Sequence, residues 1–234
     1  MVKGKKILAI IPARGGSKRI PKKNIIGFKG KPMIAWTIEA ATKSGCFDKI
    51  FVSTDDNEIA EVSKGYGADV PFLREEHSDD FSTVSDVVVR EVSRFEEDYD
   101  IVVLLMANCP IRNEIDIKQS INSFVDQNRK FQISCFKYGW MNPWWAHKLA
   151  ENGKGNPLFE KSIKNRSQDL DELYCPTGAI WVANIEDLKK CKTFYGPNFT
   201  MEPINWKNAV DIDDYEDLEL ADIVFDLIKR KGGN

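Results

Sequence analysis

The chain predicts a doubly wound α/β fold with a mostly parallel sheet, and three observations carry that prediction. Short apolar runs at 6–11, 50–53, 70–73, 101–105 and 131–136 have the length of buried strands. Amphipathic segments of helical spacing separate most of them, and strands joined through helices pair in parallel. With 234 residues the chain is long enough to bury one large core without staples, so 1–234 reads as a single domain.

The elements follow in order. Residues 6–11 form a strand that ends where Pro12, Gly15 and Gly16 break the apolar run. Pro32 suits the first position of a helix that carries Ile34, Ile38 and Ala41 and stops at Gly45. After the strand at 50–53, Asp55 and Asp56 stand where an N-cap belongs, and Ile59, Val62 and Tyr66 line a helix ending at Gly67. Residues 70–73 read as a third strand. Ser82 or Thr83 caps a helix carrying Val84, Val87, Val88 and Val92, and 101–105 is the most apolar strand. A helix over 115–124, a strand over 131–136 and, much later, a helix over 215–227 complete the set, with 229–234 read as a frayed tail. Ligands of such sheets sit beyond the carboxyl ends of the strands. That rule gathers the loops at 14–24, 54–57, 74–83 and 106–112 and the turn near Asp211 into one crevice.

Composition narrows the function. A formal net charge of −3 argues against general binding to nucleic acid or a membrane surface, which needs a basic excess. The five cysteines are odd in number and contain no C-x-x-C pair, so they indicate neither a disulfide framework nor a zinc site, and free thiols suggest the cytoplasm. His77 and His147 lie too far apart to suggest a histidine metal centre. No apolar stretch approaches the ~20 residues that span a bilayer.

The chemistry concentrates in Ile10-Ile11-Pro12-Ala13-Arg14-Gly15-Gly16-Ser17-Lys18-Arg19-Ile20-Pro21-Lys22-Lys23-Asn24. Paired glycines let a ligand approach backbone N–H groups, and a nest of such groups binds anions. Arg14, Lys18, Arg19, Lys22 and Lys23 add five positive charges suited to phosphate oxygens. The spacing is neither that of a Walker loop nor that of the G-x-G-x-x-G turn. A glycine-lysine loop is often merely solvated, but Pro12 and Pro21 restrict this one. Far along the chain, Asp211-Ile212-Asp213 places two carboxylates at alternate positions of an extended segment, on one side of it. Such a pair suits Mg²⁺ shared with substrate phosphates. Helix capping by Asp213 and Asp214 is the competing use, and the two coexist if Asp214 is the cap.

Taken whole, the segment from Ala13 to Asn24 resembles the signature of the acylneuraminate (sialic acid type) cytidylyltransferases. The resemblance continues at Gly30-Lys31-Pro32-Met33-Ile34, Val52-Ser53-Thr54-Asp55-Asp56, Leu73-Arg74, Gly178-Ala179-Ile180 and Val210-Asp211-Ile212-Asp213, and weakens between Met106 and Cys175. It implies a Rossmann-like nucleotidyltransferase that joins CTP to the anomeric hydroxyl of an acidic nine-carbon sugar, with Mg²⁺ as cofactor and pyrophosphate as by-product. Residue by residue, it implies a triphosphate loop of Ala13, Arg14, Gly15, Ser17, Lys18 and Lys23, with Arg14, Lys18 and Lys23 catalytic. It further implies a ribose contact at Asn24, cytosine reading by Arg74, Phe81, Ser82 and Thr83, sugar contacts at Met106 and Arg166, and metal ligands at Asp211 and Asp213.

Two departures bear on the sugar. Cys175 stands where the family has a second arginine, and Met106 where it has a glutamine. A pseudaminic or legionaminic type of acid is therefore expected in preference to N-acetylneuraminate, since apolar contacts suit deoxy and acyl groups better than hydroxyls. Residues 137–177 interrupt the α/β alternation, with three of the chain's six tryptophans at Trp140, Trp144 and Trp145. Family resemblance reads this excursion as the arm of a homodimer, and a local lid over the sheet edge is the competing reading. Activation of an eight-carbon 3-deoxy acid (CMP-Kdo type), a non-catalytic nucleotide or sugar binder, and a glycosyltransferase with a D-x-D metal motif are the alternative functions.

Overall fold

The computed structural model describes residues 2–75, 83–95 and 97–231. Strand β1 (Ile7–Pro12) is buried on both faces. Its pleat sends Ile7, Ala9 and Ile11 into one apolar cluster and Leu8 and Ile10 into another. The short strands β2 (Gly27–Phe28) and β3 (Lys31–Pro32) lead into helix α1 (Met33–Ser44), with Pro32 at the N-cap, one residue before the expected position. Gly45 closes α1 in the left-handed conformation, at φ 61°. Strand β4 (Lys49–Ser53) precedes α2 (Asn57–Gly65), whose N-cap Asp56 accepts from the amides of Glu58 and Ile59. Tyr66 falls at the C-cap of α2, outside the buried face expected of it.

Thr83 caps α3 (Val84–Val92) through a capping box with Asp86, and β5 (Ile101–Leu104), α4 (Glu114–Asp126) and β6 (Phe131–Lys137) follow as the apolar pattern requires. The hairpin of β7 (His147–Leu149) and β8 (Gly155–Pro157) comes next. The chain ends with β9 (Tyr174–Asn184), α5 (Ile185–Cys191), β10 (Thr200–Pro203) and α6 (Tyr215–Lys231). Helix α6 takes in Lys229, Arg230 and Lys231, which the sequence assigned to a frayed tail.

The six-stranded sheet has the order β10-β6-β9-β5-β1-β4. Strand β1 pairs in parallel with β4 and β5, and β10 with β6, whereas β9 runs antiparallel between β5 and β6. The strand expected at 70–73 does not form. Only a single parallel bridge, Phe51 to Asp69, is made there, and Pro71 has no N–H to continue a ladder. Helices α1, α2 and α4 cover one face of the sheet and α3 and α5 the other, while α6 packs on Ile20, Phe28 and Met33. Five strands share one direction, so their carboxyl ends and the amino end of β9 meet along a single edge.

Residues 136–176, all described, include no buried residue. Trp140 is 85% exposed, Met141 66% and Leu149 78%. Trp144 packs edge-on against Phe159, with ring centroids 5.1 Å apart, and its Nε1 donates to the Asp171 carbonyl. The segment packs on itself, and none of its residues joins an apolar core cluster.

Candidate active site

The loop after β1 is pinned before any ligand arrives. Ala13 N–H donates to the Ser53 carbonyl, and Gly15 N–H donates to Asp55 Oδ1 at 2.8 Å. Gly15 is required because a Cβ there would come within 2.7 Å of Asp56 Oδ2. Its missing side chain accommodates Asp56, and its amide donates to Asp55. Asn24 is buried and donates through Nδ2 to the Arg14 carbonyl at 2.9 Å, fastening the two ends of the loop.

A cavity of about 450 Å³ opens above this loop. Arg14, Ser17, Lys18, Arg19, Lys23, Asn24, Arg74 and Met106 all line it, with Val84 and Val87 of α3 opposite and Asp213 the sole carboxylate of the described lining. The fifth loop cation, Lys22, turns away to pair with Glu58, which raises its pKa. Arg74 is 6% exposed, and its Nη1 donates to the Ser53 carbonyl and hydroxyl at 3.4 and 3.3 Å.

The acidic segment meets the basic loop directly. Asp213 accepts from Lys23 Nζ at 2.8 Å and from Arg19 Nη2 at 2.6 Å. Burial alone would raise the pKa of Asp213, but these two cations bring it below the ordinary value. Asp211 is exposed at one side, yet loss of hydration against the surrounding chain and the like charge of Asp213 push its carboxyl up to about 6. Asn108 ties the pair together: its Nδ2 donates to Asp211 Oδ1, to the Ile212 carbonyl at 3.1 Å and to Asp213 Oδ1 at 3.4 Å, while its backbone carbonyl accepts from Ile212 N–H. Both carboxylates therefore face one side, as the alternation predicted. Asp214 Oδ1 accepts from the Asp217 amide, so capping of α6 falls to Asp214.

Met106 borders the cavity where β9 begins. A Cβ on Gly178 would lie 2.8 Å from Met106 Cγ, so the glycine makes room for that side chain. Beneath it, fully buried Arg112 donates through Nη1 to the carbonyls of Met106 and Ala179 at 3.3 and 2.8 Å, and burial pulls its pKa down to about 10.

Several expected residues stand elsewhere. Arg166 is not brought to the cavity: it is exposed within the excursion, its guanidinium held by Asp169 at 2.8 Å, a local pair that needs no tertiary contact. Thr83 serves as the exposed cap of α3, one residue before the lining residue Val84. Phe81 and Ser82 lie outside the described residues. Asn108 and Arg112 were missed by sequence reasoning. The signal for both was their place in the 106–112 loop after the most apolar strand.

A cationic loop at the carboxyl edge of an α/β sheet, facing a carboxylate pair, defines a nucleotide-handling site. Residues 8–174 match the family described as Cytidylyltransferase, and the chain belongs to that family of nucleotidyltransferases. It is 38% identical to a pseudaminic acid cytidylyltransferase of Campylobacter jejuni over 94% of this chain and 96% of that one. It is 33% identical to a CMP-N,N'-diacetyllegionaminic acid synthase of Legionella pneumophila, over 95% and 97%. The fold is shared with a solved CMP:2-keto-3-deoxy-manno-octonic acid synthetase complexed with CTP, at TM-score 0.70 and 17% identity, covering 95% of this chain and 99% of that one.

Proposed function

We propose that the protein transfers CMP from CTP to the anomeric hydroxyl of a nonulosonic acid of pseudaminic or legionaminic type, giving a CMP-sugar for surface-glycan synthesis in the cytoplasm. The observation that carries this reading is the convergence of Arg14, Lys18, Arg19, Lys23 and Arg74 on one cavity of a cytidylyltransferase fold. The anomeric hydroxyl oxygen attacks the α-phosphorus and releases its proton to solvent, and the bond from that phosphorus to the bridging oxygen of the β-phosphate breaks, that oxygen leaving with pyrophosphate. Such a transfer chiefly demands alignment and neutralised oxygens. Lys23 and Arg19, held by Asp213, face the charge that grows on the leaving pyrophosphate, while Arg14 and Lys18 hold the phosphates in the ground state. Asn24 contacts the ribose, and Arg74 in the cavity wall reads the base.

Asp211 and Asp213 are the residues that would hold Mg²⁺. They offer hard oxygens on one face, and the like charge of Asp213, which adds to burial in raising Asp211, is what a dication relieves. When bound, the ion supplies charge neutralisation at the triphosphate. On the sugar side, the relatives named for pseudaminic and legionaminic acids support the choice of acid, as does the thioether of Met106 in the cavity wall. The exposed apolar excursion supports a homodimer, and Arg166 would then act on a substrate carboxylate across the subunit boundary.

The test is pyrophosphate release from CTP and Mg²⁺ with each acid supplied separately. Turnover with pseudaminic or diacetyllegionaminic acid, and little with N-acetylneuraminic or the eight-carbon 3-deoxy acid, is expected. Release with none of them overturns the reading.

A further inference from the structure

Glu91 is a carboxylate placed where carboxylates are costly. It lies on α3 with no solvent exposure, on the side of the helix that packs into the cluster of Phe51, Val88 and Val92. It is one turn beyond Val87, which lines the cavity. A buried charge survives only where something opposes it. Its Oε1 accepts from the Ser53 hydroxyl at 3.0 Å, and Arg94 Nη1 stands 3.6 Å from Oε2, which accepts no hydrogen bond.

The Ser53 hydroxyl does two things at once. It donates to Glu91 and accepts from Arg74 Nη1 at 3.3 Å, so the chain runs from guanidinium through hydroxyl to carboxylate with every proton pointing the same way. Polarisation along such a chain strengthens each member. Among the described residues the rest of its hold is weak: Nη1 also reaches the Ser53 carbonyl at 3.4 Å, Asp55 lies 4.0 Å from Nη2 and is already engaged by Gly15, and the buried Nε has no acceptor. Burial lowers the pKa of Arg74 and raises that of Glu91, and each charge opposes the shift of the other.

We infer that Glu91 is a positioning residue for nucleotide recognition, holding the Arg74 guanidinium in the cavity wall through the Ser53 hydroxyl. The inference rests on the proposed binding of CTP and deepens it: one face of the nucleotide pocket is set by a charge that never touches the nucleotide. Glu91 does not take part in bond making, so its removal acts on binding before it acts on turnover.

Calorimetric titration of CTP into the full chain, with steady-state kinetics and melting temperature measured beside it, tests this. Glu91→Gln keeps the shape and removes the charge; Ser53→Ala keeps the charge and removes the relay. Each is expected to weaken CTP binding and raise the CTP KM by about tenfold, the loss of one charge-assisted contact, while kcat changes little. The double variant is expected to lose no more than either single one, because both cut the same chain. Glu91→Asp is expected to recover part of the loss. A lowered melting temperature with unchanged CTP affinity would make Glu91 a purely structural residue and overturn the inference. If Glu91→Gln fails to fold, the affinity of Ser53→Ala decides by the same criterion. If the unmodified protein binds no CTP, the proposed function fails; if it binds CTP and both variants bind it equally, the positioning role alone fails.

Discussion

Lys23 is the most enclosed of the cations measured around Asp213, 15% exposed against 60% for Arg19. In the proposed reaction its position would matter most when leaving-group charge is largest, so Lys23→Ala is expected to lower kcat by at least about 100-fold while the CTP dissociation constant moves little. Equilibrium titration against single-turnover rates checks this, and a defect confined to KM would return Lys23 to simple docking. Asp211 gives a second expectation, with a definite sign. Its folded pKa is raised from 3.8 to about 6, so the folded state binds the proton more tightly and stability falls as pH rises through that window. Asp211→Asn removes this cost. In the absence of divalent ions the variant should melt on the order of 2–4 °C above the parent at pH 7, the gap should close as pH falls toward 4, and Mg²⁺-dependent turnover should be lost. Thermal scans across pH measure it. At this scale the sequence revealed the cations and the acidic pair, because their charge and spacing are local. It could not reveal Asn108 as their clamp, since the contact is made only when the chain closes residue 108 onto residues 211–213. Nor could it show that Arg112, an ordinary surface type, is fully buried.

Most helices and strands were legible because each carries its own period and stop signal: Gly45 ends α1, and the capping box of Thr83 and Asp86 starts α3. Strand β9 was not, because Pro176 lacks the N–H of a ladder and Gly178 weakens a strand interior. The sheet tolerates both, through a register shift between Ile133 and Cys135 of β6 and through the space that Gly178 leaves for Met106. The opposite error, a strand at 70–73, came from apolar residues that pack against β4 without joining its ladder. The excursion belongs to the same scale. Its exposed Trp140, Met141 and Leu149 form the kind of apolar surface that a partner covers. The unmodified chain is expected to sediment as a dimer, and Trp140→Glu with Met141→Glu to shift it to the 26.7 kDa monomer without lowering the melting temperature of the α/β core. Monomeric sedimentation of the unmodified chain would contradict the interface.

Across the whole molecule, charge is distributed against its own sum. The chain carries −3 overall, yet five of the cavity's lining residues are cations. In the proposed reaction this focused positive field would draw CTP to the carboxyl edge of the sheet, where β1, β4 and β5 deliver their loops. That edge also receives the amino end of β9, which brings Gly178 against Met106 and so places an apolar wall beside the phosphate cradle. Phosphate cradle and apolar wall together make the central claim: CMP transfer to a deoxy, acylated nonulosonic acid. A single competition reaction addresses it most directly, in which the protein receives CTP, Mg²⁺ and equal amounts of pseudaminic, diacetyllegionaminic, N-acetylneuraminic and eight-carbon 3-deoxy acids, and the products are identified by mass. The predicted result is one dominant CMP-sugar, of the pseudaminic or legionaminic acid, formed with an equal amount of pyrophosphate. Dominance of CMP-N-acetylneuraminic acid, or consumption of CTP without any CMP-sugar, would contradict it.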